Sequence, residues 1–209
     1  MHRVTAADRR DLPLLTGGAP RERADAARNR TKVLAAADEL FRRNGVAAVS
    51  MDDVAAAAGV GKGTLYRRFG DKSGLAAALL DARESELQAA ILSGPPPLGP
   101  GAPPADRLAA FVSAYLAYVD AHLDLVALSQ TASPGARLRT GSHGFWRQHC
   151  RLLLTAAGVP DPDLRADTLL AALTAEQVRH WRHDERRPLP ALIDAIDAIA
   201  RRLAVPPSP

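Results

Sequence analysis

Apolar residues recur at three- and four-residue steps along most of this chain, the period of helices that bury one face. Val33, Leu34, Ala37, Leu40 and Phe41 line one side of a stretch from Ala24 or Asp25 to Asn44, and Asn44-Gly45 marks its end. Met51, Val54, Ala55 and Ala58 give a short second helix an apolar face, with Ser50 as cap, Asp52 and Asp53 in the first turn and Gly59 as the stop. Val60 plugs the corner before a third helix, Lys62 to Phe69, whose Leu65 and Phe69 point inward. A fourth helix, from about Asp71 to Leu92, repeats Leu75, Leu79, Leu80, Leu87 and Ile91.

The pattern stops at residues 93–105, where six prolines leave neither helix nor strand room to persist. It resumes from Asp106 to about Leu128 with Leu108, Phe111, Val112, Tyr115, Leu116, Val119 and Leu123, and a break is expected near 121–124. After a loop at 131–142, helices are predicted over about 144–157, 161–183 and 188–204. No segment alternates with the two-residue period of a strand, so the expected fold is all-α.

The second and third helices form a helix-turn-helix, and what lies on the third one's outer side changes the picture. Lys62, Gly63, Thr64, Tyr66, Arg67 and Arg68 are all left outward, a basic and hydroxyl-bearing row suited to a DNA groove. Thr64 can touch a base edge or thymine methyl, Lys62 and Arg67 can reach phosphate or guanine, and bare Gly63 permits close backbone approach. Ser50 and Met51, at the start of the second helix, complete the expected DNA-facing set with Lys72. Charge agrees: residues 1–74 hold 14 Lys and Arg against 9 Asp and Glu, and the remainder 13 against 14, within a net charge of +4.

VAAAAGVGKGTLYRRFGDKSGL resembles the DNA-binding signature of the TetR (tetracycline-repressor-type, TetR/AcrR) regulators, in which A-G-V-x-x-G-x-L-Y-x-x-F-x-x-K-x-x-L recurs. Every fixed position is present, from Ala58 and Gly59 through Tyr66, Phe69 and Lys72 to Leu75, and the likeness spans residues 25–92. It implies an N-terminal three-helix head with the helix-turn-helix and a larger C-terminal helical body for effector binding and dimerisation. In such a protein Tyr66 and Lys72 hold DNA phosphates, Leu65 and Phe69 form the small core, and the fourth helix links head to body. The implied partners are double-stranded DNA with a two-fold related operator, a small-molecule effector, and a second copy of the chain. The expected divisions are an arm at 1–24, the head at 25–72, the body at 73–205 and a tail at 206–209.

Within the body, Phe111, Tyr115, Tyr118, His122, Trp146 and His149 combine apolar rings with polar tips and are the candidates for an effector pocket. Leu169, Leu173, Leu192, Ile196, Ile199 and Leu203 are the candidate dimer residues, because the last helix is apolar around much of its circumference. Two helices from each subunit would make a four-helix interface, as the resemblance implies. The arm's Arg3, Arg9, Arg10, Arg21 and Arg23 can follow a phosphate backbone.

Other chemistry finds little support. His180 and His183, or His143 and Cys150, lack a third ligand at metal spacing, so no metal or other cofactor is expected. No nucleophile-elbow or Walker-type glycine motif occurs, so no enzyme is expected. No apolar run reaches the length of a membrane span, and a single cysteine fits a reducing cytoplasm. A regulator of the same fold without an effector is the alternative reading.

Overall fold

The structure, a computed structural model, describes residues 20–130 and 135–206, with side chains from Ala24 onward. Among the described residues, ten α-helices follow one another: α1 (Pro20–Asn44), α2 (Met51–Ala58), α3 (Lys62–Phe69), α4 (Lys72–Ser93), α5 (Pro104–Ala121), α6 (Leu123–Gln130), α7 (Gly141–Ala156), α8 (Pro162–Ala172), α9 (Ala175–Arg179) and α10 (Leu189–Leu203). No strand occurs among the described residues. The arm's Arg3, Arg9, Arg10, Arg21 and Arg23 lie outside the residues, or the side chains, so described.

Two apolar cores organise these helices. The head core gathers Val33, Ala37 and Phe41 of α1, Val49, Met51, Val54 and Ala55 around α2, Leu65 and Phe69 of α3, and Leu75 and Leu79 of α4. The body core runs from Leu80 and Ile91 of α4 through Phe111, Val112, Leu116, Trp146 and Leu154 to Leu192, Ile196 and Ala200 of α10. Helix α4 therefore gives its first turns to the head and its later turns to the body. Leu125 of α6 packs on both clusters, a second contact between the two.

Local chemistry sets most helix ends. Asp71 caps α4 by accepting from the Gly74 amide at 2.9 Å. A Cβ on Gly74 would stand 1.9 Å from the Phe69 carbonyl oxygen, so only glycine lets α4 start this close to the end of α3. The chain bends by 94° between α5 and α6, at the expected break. Thr140 caps α7, accepting from the His143 amide at 3.2 Å, and the helix starts before residue 144 as a result. The helix expected over 161–183 is divided. Leu173 leaves helical geometry at φ −105°, Thr174 caps α9 by accepting from the Gln177 amide at 3.2 Å, and His180–Asp184 finish in a π-helical turn.

Candidate nucleic-acid interface

The Ser50 hydroxyl accepts from the Asp53 amide at 3.1 Å, and the Asp53 carboxylate accepts from the Ser50 amide at 2.9 Å and hydroxyl at 2.6 Å. This reciprocal cap holds Asp53 below the usual carboxylate range, chiefly through the hydroxyl, and it engages the Ser50 side chain that the sequence had offered to DNA. Met51, expected to face DNA, is buried in the head core instead, because the first turn of α2 points it at α1 and α3. Gly59 turns the chain at φ +64°, and the Val60 amide returns to the Ala55 carbonyl at 3.0 Å.

Leu65 and Phe69 anchor α3, leaving Lys62, Gly63, Thr64, Tyr66, Arg67 and Arg68 exposed on its outer side. Their circumstances differ. Arg68 donates to the Ala26 carbonyl oxygen at 2.8 Å, tying α3 to α1, so its side chain is engaged in the head's own geometry. Lys62 forms an ion pair with Asp52 at the start of α2, which raises its pKa through the side-chain hydrogen bond and the carboxylate's charge. Thr64, Tyr66 and Arg67 make no side-chain hydrogen bond or ion pair among the described residues. Nothing stands within 4 Å of a Cβ placed on Gly63. Half-buried Lys72 donates to the Ala47 carbonyl at 3.2 Å with its ammonium 6.0 Å from the centre of the Phe41 ring, and Arg30 lies equally far from Phe69. These geometries leave Thr64, Tyr66 and Arg67 open beside a surface with no side chain in the way.

Residues 33–79 match the family model for bacterial regulatory proteins of the tetR family. An HTH-type transcriptional regulator of Staphylococcus aureus (strain USA300) is 47% identical over 53 residues, 25% of this chain and 29% of the relative. The chain thus spans under a third of the length of the curated relatives it matches. The fold extends further. A TetR/AcrR-family regulator from Thermobifida fusca YX-ER1 superposes with a TM-score of 0.59 at 23% identity, covering 83% of this chain and 97% of the other. The fatty acid degradation regulator FadR of Bacillus halodurans does so with a TM-score of 0.61 at 18% identity, covering 89% and 97%. Residues 33–79 thus carry a head of the tetR-family type, and the described helices around it share the fold of TetR/AcrR regulators. All three relatives are named as regulators, not as enzymes.

In the body, a cavity of about 250 Å³ opens between α4, α5, α6 and α7. Tyr115, Tyr118 and Trp146 line it as the sequence suggested. The other three candidates lie elsewhere. Phe111 is wholly buried in the body core, and His149 sits against it with ring centroids 5.3 Å apart. Burial, with the Arg107 charge adding to it, pushes the His149 pKa down to about 4, so its imidazole is neutral, and its Nε2 has no hydrogen-bond partner among the described residues. His122 lines a separate groove beside Asp38, Arg42 and Arg83, because the bend after α5 turns it toward the head.

Sequence reasoning missed the cavity's polar wall: Glu84, Arg137, Ser142 and His143. One signal was available, since Glu84 lies on the same stripe of α4 as Leu80, Leu87 and Ile91. Tyr118 donates to Glu84 Oε1 at 3.2 Å. Burial holds the Glu84 pKa above the usual carboxylate range, against the opposing Ser142 and Tyr118 hydroxyls, and the Asp81 charge adds to the rise. Arg137 meets His143 Nδ1 at 3.4 Å, and burial, helped by that guanidinium, lowers the His143 pKa.

Four of the six expected dimer residues are also corrected. Leu169, Leu173, Leu192 and Ile196 are buried within the single chain, where α8 packs on α7 and α10 on α5, so they have no area to offer a partner. Ile199 remains 49% exposed and Leu203 half-buried, and Leu164 of α8 is 67% exposed. Arg165 donates to the Pro160 and Leu203 carbonyls at 2.9 and 2.8 Å, holding α8 beside the end of α10. Among the described residues, no three His, Cys, Asp or Glu side chains gather as a metal site, and no single helix is long and apolar enough to cross a membrane.

Proposed function

We propose that the protein is a transcription regulator that binds operator DNA as a homodimer and releases it when a small effector occupies the body cavity, acting as a repressor. The observation that carries this is the open row of Thr64, Tyr66 and Arg67 around Gly63, presented by a helix anchored through Leu65 and Phe69. Thr64 reads base edges in the major groove, while Tyr66, Arg67 and Lys72 hold phosphates. Two heads related by a two-fold axis reach successive grooves about 34–36 Å apart, which calls for two related half-sites.

The outer faces of α8 and α10, with Leu164, Ile199 and small Ala195 and Ala198 exposed, are the surface left for the second copy. Helix α4 supplies the coupling, since it belongs to the head core through Leu75 and Leu79 and lines the cavity through Leu80 and Glu84. An effector shifts the head only if it binds the DNA-competent and released states with different affinity.

The test is footprinting of purified protein on DNA flanking its own coding region, with random duplex as competitor. Protection of two related half-sites is expected. Equal affinity for that DNA and random duplex, from low to moderate salt, would refute the reading.

A further inference from the structure

We propose that the body cavity takes a compact bipolar ligand, with an amine on Glu84, a hydrogen-bond acceptor on Arg137 and an aromatic body lying against the wall formed by Tyr115, Tyr118 and Trp146. This rests on the reading of that cavity as the effector site. The charges, the aromatic wall and the volume of the cavity support the ligand class. Glu84 is half-buried, and among the described residues its hydrogen-bond partners are neutral hydroxyls, with no cation paired to it. A carboxylate withdrawn from water without a cation is costly, and an ammonium placed against it removes that cost. Asp81, on the same wall, adds a second negative charge; its only ion pair among the described residues is a long one to Arg30 at 3.6 Å.

Arg137 stands on the other side of the problem. Its guanidinium contacts the imidazole of His143 and forms no ion pair among the described residues, so it retains N–H groups for an acceptor. No hydrogen bond or ion pair joins Arg137 to Glu84, although both line the one cavity. Space, rather than direct contact, separates the two charges.

The rest of the lining limits size and shape. Tyr115 and Trp146 have ring centroids 5.7 Å apart, and Tyr115 and Tyr118 6.0 Å, which gives a one-sided aromatic wall for stacking or for the face of a cation. A volume of about 250 Å³ lies below the roughly 300–1,000 Å³ usual for drug-sized ligands, so a single ring with a short amine arm suits it.

The experiment is calorimetric titration of the full chain with three probes that differ at one end: tyramine, 3-(4-hydroxyphenyl)propionic acid and 4-ethylphenol. Tyramine is expected to bind about tenfold or more tightly than either of the others. Glu84→Gln, which keeps an acceptor for Tyr118, is expected to lose about tenfold in tyramine affinity while its melting temperature stays level or rises. Arg137→Gln should weaken tyramine by less, since only a neutral phenol oxygen is affected.

Stronger binding of the acid, equal binding of 4-ethylphenol, undiminished tyramine binding by Glu84→Gln, or no binding of tyramine at millimolar concentration would each overturn the ligand class. Operator binding by the same preparation, measured with and without tyramine, separates this from the wider proposal. Operator binding that is intact while tyramine fails to bind overturns only the ligand class. Tyramine binding through Glu84 without any effect on operator affinity supports the ligand class and counts against the effector role of the cavity.

Discussion

Arg68 and Ala26 are joined across the head, the guanidinium of α3 donating to a carbonyl oxygen of α1 over 2.8 Å. A residue on the outer side of α3 therefore helps set that helix's angle to the one behind it. Lysine at this position carries the charge but lacks the planar fork. Arg68→Lys is expected to lower DNA affinity severalfold on every sequence, with base preference unchanged and stability reduced by about 1 kcal/mol. A change in preference between operator variants, measured by competition, would instead place Arg68 at a base edge.

Two glycines near the interface should behave in opposite ways. Gly63 has open space where a Cβ would stand, so Gly63→Ala should raise head stability by up to about 1 kcal/mol through helix propensity alone. If DNA backbone approaches closely there, the same variant binds operator at least severalfold more weakly. Gly74→Ala collides with the Phe69 carbonyl and should destabilise the fold by about 1–3 kcal/mol. Thermal melts and operator titrations on both variants check the contrast.

Asp52 holds Lys62 in an ion pair, and in the proposed complex DNA would compete with it for the ammonium. Asp52→Asn removes one negative charge from the interface and frees the ammonium. Affinity for all duplexes should rise, and the slope of log affinity against log salt should steepen by about 1 if Lys62 then engages a phosphate. An unchanged slope would mean that Lys62 stays off the phosphate backbone.

The exposed and buried isoleucines of α10 separate assembly from folding. Ile199→Glu places a charge on an exposed position and should give a folded protein that sediments as a monomer and loses operator binding. Ile196→Glu places the charge in the subunit core and should unfold the chain. A dimeric Ile199→Glu variant would move the interface away from this part of α10.

Acid should weaken the body. His149 has a folded-state pKa of about 4 against an ordinary 6.5, so the unfolded chain binds the extra proton between these values. Stability is complete above about pH 6.5 and falls as pH drops toward 4, by up to about 3 kcal/mol from this group. The lowered pKa values of His122 and His143 act in the same direction, whereas the raised pKa of Glu84 opposes them, its contribution being greatest in acid. His149→Phe should flatten the decline in a urea-melt series across that window.

The head was legible because its determinants are local. Ser50 and Asp53 cap α2 within one turn, Gly59 reverses the chain where only a positive φ will serve, and Leu65 and Phe69 fall on one face by spacing alone. The same logic placed the α5–α6 break and the closing helix α10. It failed where a capping residue competed with a continuing pattern, as Thr174 does between α8 and α9.

What one sequence cannot determine is the partner that each apolar face meets. The stripe of Leu192 and Ile196 looks the same whether it covers α5 or a second subunit, and tertiary packing assigned it to α5. Met51 starts a helix beside the outward row, yet packing against α1 and α3 buries it in the head core. The meeting of Glu84 with Tyr118, Ser142 and Arg137 around one cavity joins segments far apart along the chain, and no periodicity encodes that distance. Spacing and caps act through neighbours within a turn or two, so the helices and the outward row on α3 can be read from the chain alone. Which faces are covered, and which charges share a cavity, depend on contacts between helices distant along the chain, and so emerge with their packing.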